Sequence, residues 1–392
     1  MVSDQSCIGD VPQYASDDVA GVANLIVRWG DSTIVRGQVN GHRTCPERLT
    51  PTVGTMRAMR LGILDQSPIR AGGTAREAVL ATIELAKLAD RLGYSRYWLA
   101  EHHNSGTLAS ASPEILIPML AEHTERIRVG SGGVMLTHYS ALKVAEVFRM
   151  LETLFPGRID MGLGRAPGSD GLTASALSHG PGALPLEAYP DQIADVMGFM
   201  TGELPEGHPY ATLRAAPRGD GVPVPWLLGS AYDSARFAAE MGLGFSFAHF
   251  ISPQGGERVV ADYRERFQPS PWLAEPMVIV GVAAICAETD EQARRIAMSR
   301  HLMRLRREQG RALGGVPSIE DAEAVELSEP EQEYIDFQHT LALEGSPARV
   351  REGLTTVAEQ YDTDELLVVT ITHDYADRAR SYELLARELE LS

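Results

Sequence analysis

Cysteine is scarce in this 392-residue chain. Only Cys7, Cys45 and Cys286 occur, and the first two fall in a stretch with little folding signal, so no disulfide framework is implied and a reducing cytoplasm is the expected setting. Long apolar runs are missing as well. No segment approaches the roughly 18 apolar residues of a membrane span, and the N-terminus lacks a basic stretch followed by an apolar one, which disfavours a membrane protein or a secreted one. Positive charge is outnumbered: 35 Lys and Arg face 53 Asp and Glu, for a formal charge of -18. Such a surface repels phosphate backbones and anionic lipid, leaving small molecules as the expected partners and no nucleic acid or membrane surface.

What the chain does have is enough apolar content, 44% hydrophobic residues, to fill one barrel of ordinary size or two smaller domains. Residues 1–58 hold no lasting period and read as an N-terminal extension, disordered or the product of a misassigned start, with a docking strand near Asn24 to Trp29 as the alternative. From Met59 short apolar runs alternate with amphipathic stretches of helical length. Eight strands are expected near 60–65, 96–101, 127–133, 158–163, 224–229, 243–248, 277–286 and 365–371, which makes residues 59–392 an α/β chain folded as a (β/α)8 TIM barrel with long insertions at its C-terminal face. A doubly wound sheet would need a switch in strand order that the series does not show. Thr74 with Glu77 predicts a capping box, Leu92-Gly93 a helix end, and Ser346-Pro347 and Asp374 the starts of the last helices.

The stretch Tyr97-Trp98-Leu99-Ala100-Glu101-His102-His103-Asn104 passes abruptly from apolar to polar, as a buried strand does when it ends in a site. Side chains alternate along a strand, so His102 and His103 point to different sides and one of them is structural. His102, Arg165, Ser230, His249 and His373 all fall at or past C-terminal strand ends, the face where barrel active sites sit. Each histidine alone is more often a satisfied structural residue, and His102 has a competing reading as a cap bonded to Glu101 or backbone.

Three glycine-rich segments add to the picture. Gly130-Ser131-Gly132-Gly133 implies a bulge or the close approach of a backbone or flat ligand, with helix packing equally open. Arg165 leaves the fourth strand in a glycine-lined loop suited to a phosphate or carboxylate, or else to a surface salt bridge. Gly229-Ser230-Ala231-Tyr232-Asp233-Ser234 leads into a helix expected at Ala235, whose N-terminus is a ready anion site. The loop 164–190 is expected to cover the pocket, and the acidic run between Ser318 and Glu333 to be a solvated helix, with a lid as the alternative.

Over essentially all of residues 59–392 the chain resembles the bacterial luciferase-like flavin monooxygenases. The resemblance rests on Trp98 to His103, Val129 to Val134, Gly157 to Arg165 and Gly229-Ser230 with Ala238 to Leu243, and Leu64 to Pro68 looks like the alkanal monooxygenase-like, FMN-linked branch. It implies FMN across the C-terminal face, a non-proline cis peptide at Gly132-Gly133 beside the flavin ring, His102 as acid/base, and Arg165 and Ser230 at the phosphate. Bacterial luciferase has threonine where this chain has Asp233, so Ser234 or backbone amides are expected to take over at the phosphate. It also has a reactive cysteine where this chain has Gly164, so light emission is not implied.

The implied reaction uses reduced FMN and O2 as cosubstrates to oxidise an organic molecule. No Gly-x-Gly-x-x-Gly fingerprint follows a strand, so a separate flavin reductase is expected to supply the reduced cofactor. The rivals are a deazaflavin (F420)-dependent dehydrogenase on the same barrel, a non-catalytic flavin-binding protein, and a metal-dependent hydrolase using His102, His249 and His373. The last lacks a His-x-His pair, and no metal site is expected. The helix Ala141 to Leu154 matches the one through which luciferase-like subunits pair, with Val144, Val147, Phe148 and Leu151 as its apolar stripe, so a homodimer is expected.

Overall fold

A computed structural model describes residues 59–166, 170–178, 186–219, 221–311 and 314–392, so the expected N-terminal extension lies outside the described residues. The strands are β1 (Arg60–Asp65), β2 (Arg96–Leu99), β3 (Arg128–Ser131), β4 (Val134–Met135), β5 (Ile159–Gly164), β6 (Val224–Gly229), β7 (Gly244–Ala248), β8 (Val278–Cys286), β9 (Leu343–Gly345) and β10 (Glu365–Val369). The helices are α1 (Ala75–Arg91), α2 (Pro113–Glu122), α3 (Ala141–Leu154), α4 (Gly171–Leu177), α5 (Tyr189–Thr201), α6 (Tyr232–Glu240), α7 (Gly256–Arg266), α8 (Asp290–Glu308), α9 (Ile319–Glu323), α10 (Glu329–Leu341), α11 (Pro347–Gln360) and α12 (Tyr375–Glu388). Eight strands pair in parallel around a closed circuit, β1-β2-β3-β5-β6-β7-β8-β10, and β10 returns to β1. This is the (β/α)8 barrel read from the alternation of elements, with every strand within a few residues of its expected place.

The sequence signals act as their chemistry requires. Thr74 accepts from the Glu77 amide while the Glu77 carboxylate accepts from the Thr74 amide, and Gly93 beyond α1 takes φ +83°. Along β2 the alternation is clean: Tyr97 and Leu99 join the core under the helices, whereas Trp98 and Ala100 join the cluster inside the barrel. His102 has the parity of the inward set and His103 that of the outward set.

Two expectations change. In α3, Val144, Phe148 and Leu151 are buried, so the apolar stripe packs on the barrel; Met150 and Leu154 are the exposed apolar residues of that helix. The acidic insertion is not simply a solvated helix. It forms α9, α10 and β9, and Glu323, Asp336 and Glu331 pair with Arg295, Arg294 and Arg306 of α8. The glycines of the third strand follow one of the readings left open for them, the close approach of a backbone: a Cβ at Gly130 would stand 2.4 Å from Asp160 O, and one at Gly133 would stand 2.9 Å from Gly162 O.

Candidate active site

His102 follows β2 at the C-terminal rim of the barrel. Its amide donates to Ser110 O at 2.8 Å, which fixes the backbone, while its ring is largely enclosed. Nδ1 is buried and has no hydrogen-bond partner among the described residues. Burial, helped by the positive charges of Arg307 and His103, holds the imidazole at a pKa of about 4, so the ring is neutral at cellular pH. A buried ring nitrogen left without a partner carries a desolvation cost, and its most direct use is to meet a group that the protein alone does not supply.

The next residue is treated in the opposite way. His103 Nε2 lies 2.6 Å from Glu101 Oε1, and the same buried carboxylate accepts from Tyr139 Oη at 2.8 Å and the Met135 amide at 2.9 Å. Its ring meets that of His138 edge-on at 5.7 Å between centroids. The bond to Glu101 expected as the competing reading of His102 is therefore made by His103. Of the other polar residues at strand ends, Asp65 is committed to structure, holding Arg378, Tyr97, Thr82 and the Ser67 amide. Burial is the largest single influence and would raise its carboxyl, but the Arg378 charge together with the hydrogen bonds from Arg378, Tyr97 and Ser67 outweighs it and keeps the group below the ordinary range.

Gly132-Gly133 is joined by a cis peptide bond, as the resemblance implied. Gly132 lies over Leu64 and Trp98, where a Cβ would come within 3.0 Å of either side chain. Across the strand ends, Arg165 Nη1 donates to Asp233 Oδ2 at 3.4 Å in an exposed, long contact. The helix after β6 begins at Tyr232, three residues before the expected Ala235, so Asp233 and Ser234 stand in the first turn of α6 rather than ahead of it. Ser234 is buried against Gly229, where a Cβ would come 2.3 Å from its Oγ. Among the described residues Ala231 gives α6 no side-chain cap, half-buried Ser230 directly precedes it, and Arg165 reaches this first turn through Asp233.

Of the residues expected at the rim, His249 is edge-on to Tyr361 at 5.8 Å, and half-buried His373 precedes α12. Neither is brought against His102 by any contact among the described residues. The loop expected to cover the pocket is described in part: Asp170 caps α4 and accepts from Asn104 Nδ2 at 3.1 Å, two residues from His102. Sequence reasoning missed Arg307, near the end of α8 and close enough to act on His102, because nothing in the chain order links that helix to the rim. It also missed the anchoring by Ser110 and Tyr139, whose residue types carry no signal by themselves.

A family model described as luciferase-like monooxygenase matches residues 59–364. The chain is 37% identical over 329 residues to the N-acetyl-S-alkylcysteine monooxygenase of Bacillus subtilis, covering 84% of this chain and 97% of that one. Among solved structures it matches apo-MsnO8 with TM-score 0.78 and 38% identity, over 85% of this chain and 99% of that one. Two more distant structures share the fold over 85% of this chain. One is the oxygenating constituent of 3,6-diketocamphane monooxygenase from Pseudomonas putida in complex with FMN, with TM-score 0.61, 21% identity and 98% of its chain covered. The other is an F420-dependent secondary alcohol dehydrogenase, with TM-score 0.60, 11% identity and 99% of its chain covered.

Proposed function

Because the chain belongs to the luciferase-like monooxygenase family, we propose that it is an FMN-dependent monooxygenase, using reduced flavin and O2 to oxidise a small organic substrate. The observation that carries this reading is the enclosed, unpartnered Nδ1 of His102 at the same rim as the Gly132-Gly133 peptide and the Arg165 guanidinium. The residues present fit the cofactor. Gly132 and Gly133, packed on Leu64, Trp98 and Gly162 where a Cβ would clash, bring bare main chain to the rim for a flat ring to lie beside; Arg165, Ser230, Ser234 and the amides of α6 offer cationic and hydrogen-bonding groups to a phosphate, with Gly229 holding Ser234 close. Asp233 competes for Arg165, so a bound phosphate would have to displace that carboxylate.

When bound, reduced FMN supplies the electrons that activate O2. The chain's own residues do the rest. Trp98 and Ala100 keep water from the end of β2. His102, neutral and free at Nδ1, accepts a proton from the reacting species or returns one. Glu101, through Tyr139 and the Met135 amide, holds the segment after the cis peptide in place. A thioether is the first substrate class to assay, given the relative that acts on an N-acetyl-S-alkylcysteine.

The F420 alternative rests on the shared barrel alone, and one measurement separates the two. Purified chain should bind FMN, and mixing with reduced FMN and O2 should consume oxygen in proportion to product; reduction of F420 by an alcohol with no oxygen uptake would overturn the proposal. A separate reductase, a cytoplasmic setting and a homodimer belong to the same reading. Ile115, Met119, Met150 and Leu154 are exposed on α2 and α3, two helices that pack together, and supply the apolar surface for self-association. Replacing Met150 and Leu154 by Asp should give a monomer by light scattering; a wild-type chain already monomeric at micromolar concentration would remove the dimer.

A further inference from the structure

Outside the barrel rim, one cluster of side chains has the composition and convergence of a ligand set. His301 of α8, His339 of α10 and Glu344 of β9 come from three elements of the connection between β8 and β10, and their donor atoms all lie within 4.8 Å of one another. His301 Nε2 is 2.6 Å from Glu344 Oε1, and His339 Nδ1 is 2.6 Å from Glu344 Oε2. The two rings have centroids 4.4 Å apart and planes crossed at 76°, so they meet at their nitrogen edges on one carboxylate instead of stacking. All three side chains are withdrawn from solvent, His301 entirely.

We propose that His301, His339 and Glu344 form a binding site for a divalent transition metal of the zinc class, separate from the oxidation site. Two imidazoles and a carboxylate suit zinc, with nickel, cobalt and copper as competitors, and do not suit the all-oxygen preference of calcium or magnesium. In the metal-free chain the two N–H groups facing Glu344 occupy the place of the cation. Binding moves each facing proton off its nitrogen, to the other ring nitrogen or to water, and tetrahedral bonds of roughly 2.0–2.2 Å set ligand atoms about 3.3–3.5 Å apart, so each 2.6 Å N···O pair has to open by about 0.7–0.9 Å. A fourth position would be filled by water or an anion. Arg300 favours the anion, because its Nη1 stands 3.5 Å from His301 Nδ1 and brings a positive charge to the site.

The placement gives the site a purpose. Glu344 is positioned by the parallel pairing of β9 with the end of β8, with Glu344 opposite Ile285, and the two histidines by helices that pack on β9. A metal here ties α8, α10 and β9 together, and α8 carries Arg307 toward His102. Nothing in the residue order signals this convergence, because the ligands are 38 and 5 residues apart, without the short repeated spacing by which metal sites are recognised.

The test uses the untagged full chain, stripped with a chelator, titrated with zinc sulfate by calorimetry and followed by thermal denaturation. One zinc per chain and a melting temperature that climbs with zinc concentration are expected. His339→Asn and Glu344→Gln should each weaken zinc binding by about 10-fold or more and remove the thermal shift, whereas His102→Ala should keep both. Far-ultraviolet circular dichroism of the stripped variants checks that they are folded, and His339→Asn, at the less buried of the two histidines, serves if Glu344→Gln is not. Absence of stoichiometric binding would overturn the site, as would undiminished binding by the folded variants or binding lost only in His102→Ala.

Discussion

At the N-terminal ends of the strands, Asp160 accepts from Arg96 at 2.7 Å, from Trp98 Nε1 at 2.8 Å and from Arg128 at 2.9 Å, while Arg96 also reaches Glu365 at 2.7 Å. At the C-terminal ends, His102 Nδ1 has no partner among the described residues and Arg165 makes one long contact to an exposed carboxylate. Both regions place charged or polar groups on the same strands; Asp160 and Arg96 are held by several bonds at one end, as are Asp65 and Glu101 at the other, but beside those two His102 and Arg165 are left largely open. Burial works against the charge on Arg96, but Asp160 and Glu365 outweigh it and hold the guanidinium's pKa above its ordinary value. At His102 nothing offsets burial. The chain thus completes its polar network where stability is set, and leaves bonds unmade where a ligand is to complete them.

The sharpest way to break that comparison is at the closed end. Asp160→Ala would leave Arg96, Arg128 and Trp98 without their common acceptor in a buried place, and should cost about 3–5 kcal/mol of folding stability. Chemical denaturation measures it. A loss under about 1 kcal/mol would mean that solvent reaches the network and that the two ends differ less than their geometry indicates.

At the open end the expected losses are in chemistry. His102→Ala should slow substrate oxidation by roughly 100-fold or more while sparing FMN binding and the fold, since no protein bond to the ring nitrogen is lost. His103→Ala should do the reverse, with milder turnover loss and about 1–3 kcal/mol of stability lost as Glu101 gives up one of its three partners. Paired kinetics and melts decide it; a dead His103 variant beside an active His102 variant would exchange the two roles.

A smaller effect concerns the phosphate end. Arg165→Ala should weaken FMN by about 10-fold or more and leave riboflavin nearly unchanged, because a charge-assisted bond to phosphate is lost. Asp233→Ala should tighten FMN by about 2- to 5-fold, the scale of an exposed ion pair that no longer competes. Equal losses of FMN and riboflavin in the first variant would place Arg165 away from the phosphate.

How much of this was legible follows from range. The eight strands, the capping box at Thr74, the cis peptide at Gly132-Gly133 and the divergence of His102 from His103 are set by residues close in sequence or by a motif that the chain keeps. What could not be read depends on distant packing. The stripe of α3 looked the same whether it faced a partner or the barrel, and only the tertiary structure turns Val144, Phe148 and Leu151 inward. The pairing of Glu323 and Glu331 with arginines of α8, the arrival of Arg307 near His102 and the convergence on Glu344 all join residues through the insertion after β8, whose acidic composition reports exposure but not partners.

The finest test of the contrast is the proton on His102. Its pKa of about 4 in the folded chain lies below the ordinary value of 6.5, so as pH falls from 6.5 toward 4 the unfolded chain takes up a proton that the native chain refuses. This group therefore lowers stability across that window, and His102→Gln should narrow the acid-side loss seen in melts. The same enclosure predicts that turnover stays level as pH drops through 6.5, because the ring remains neutral and able to take a proton. Arg307→Gln removes one of the charges that hold the ring neutral and should move the acid limb of the turnover profile upward, toward the ordinary histidine value. An acid limb near 6.5 in wild type, unmoved by Arg307→Gln, would show His102 to be solvated like any surface histidine, and the open end of the barrel would then be wet rather than enclosed.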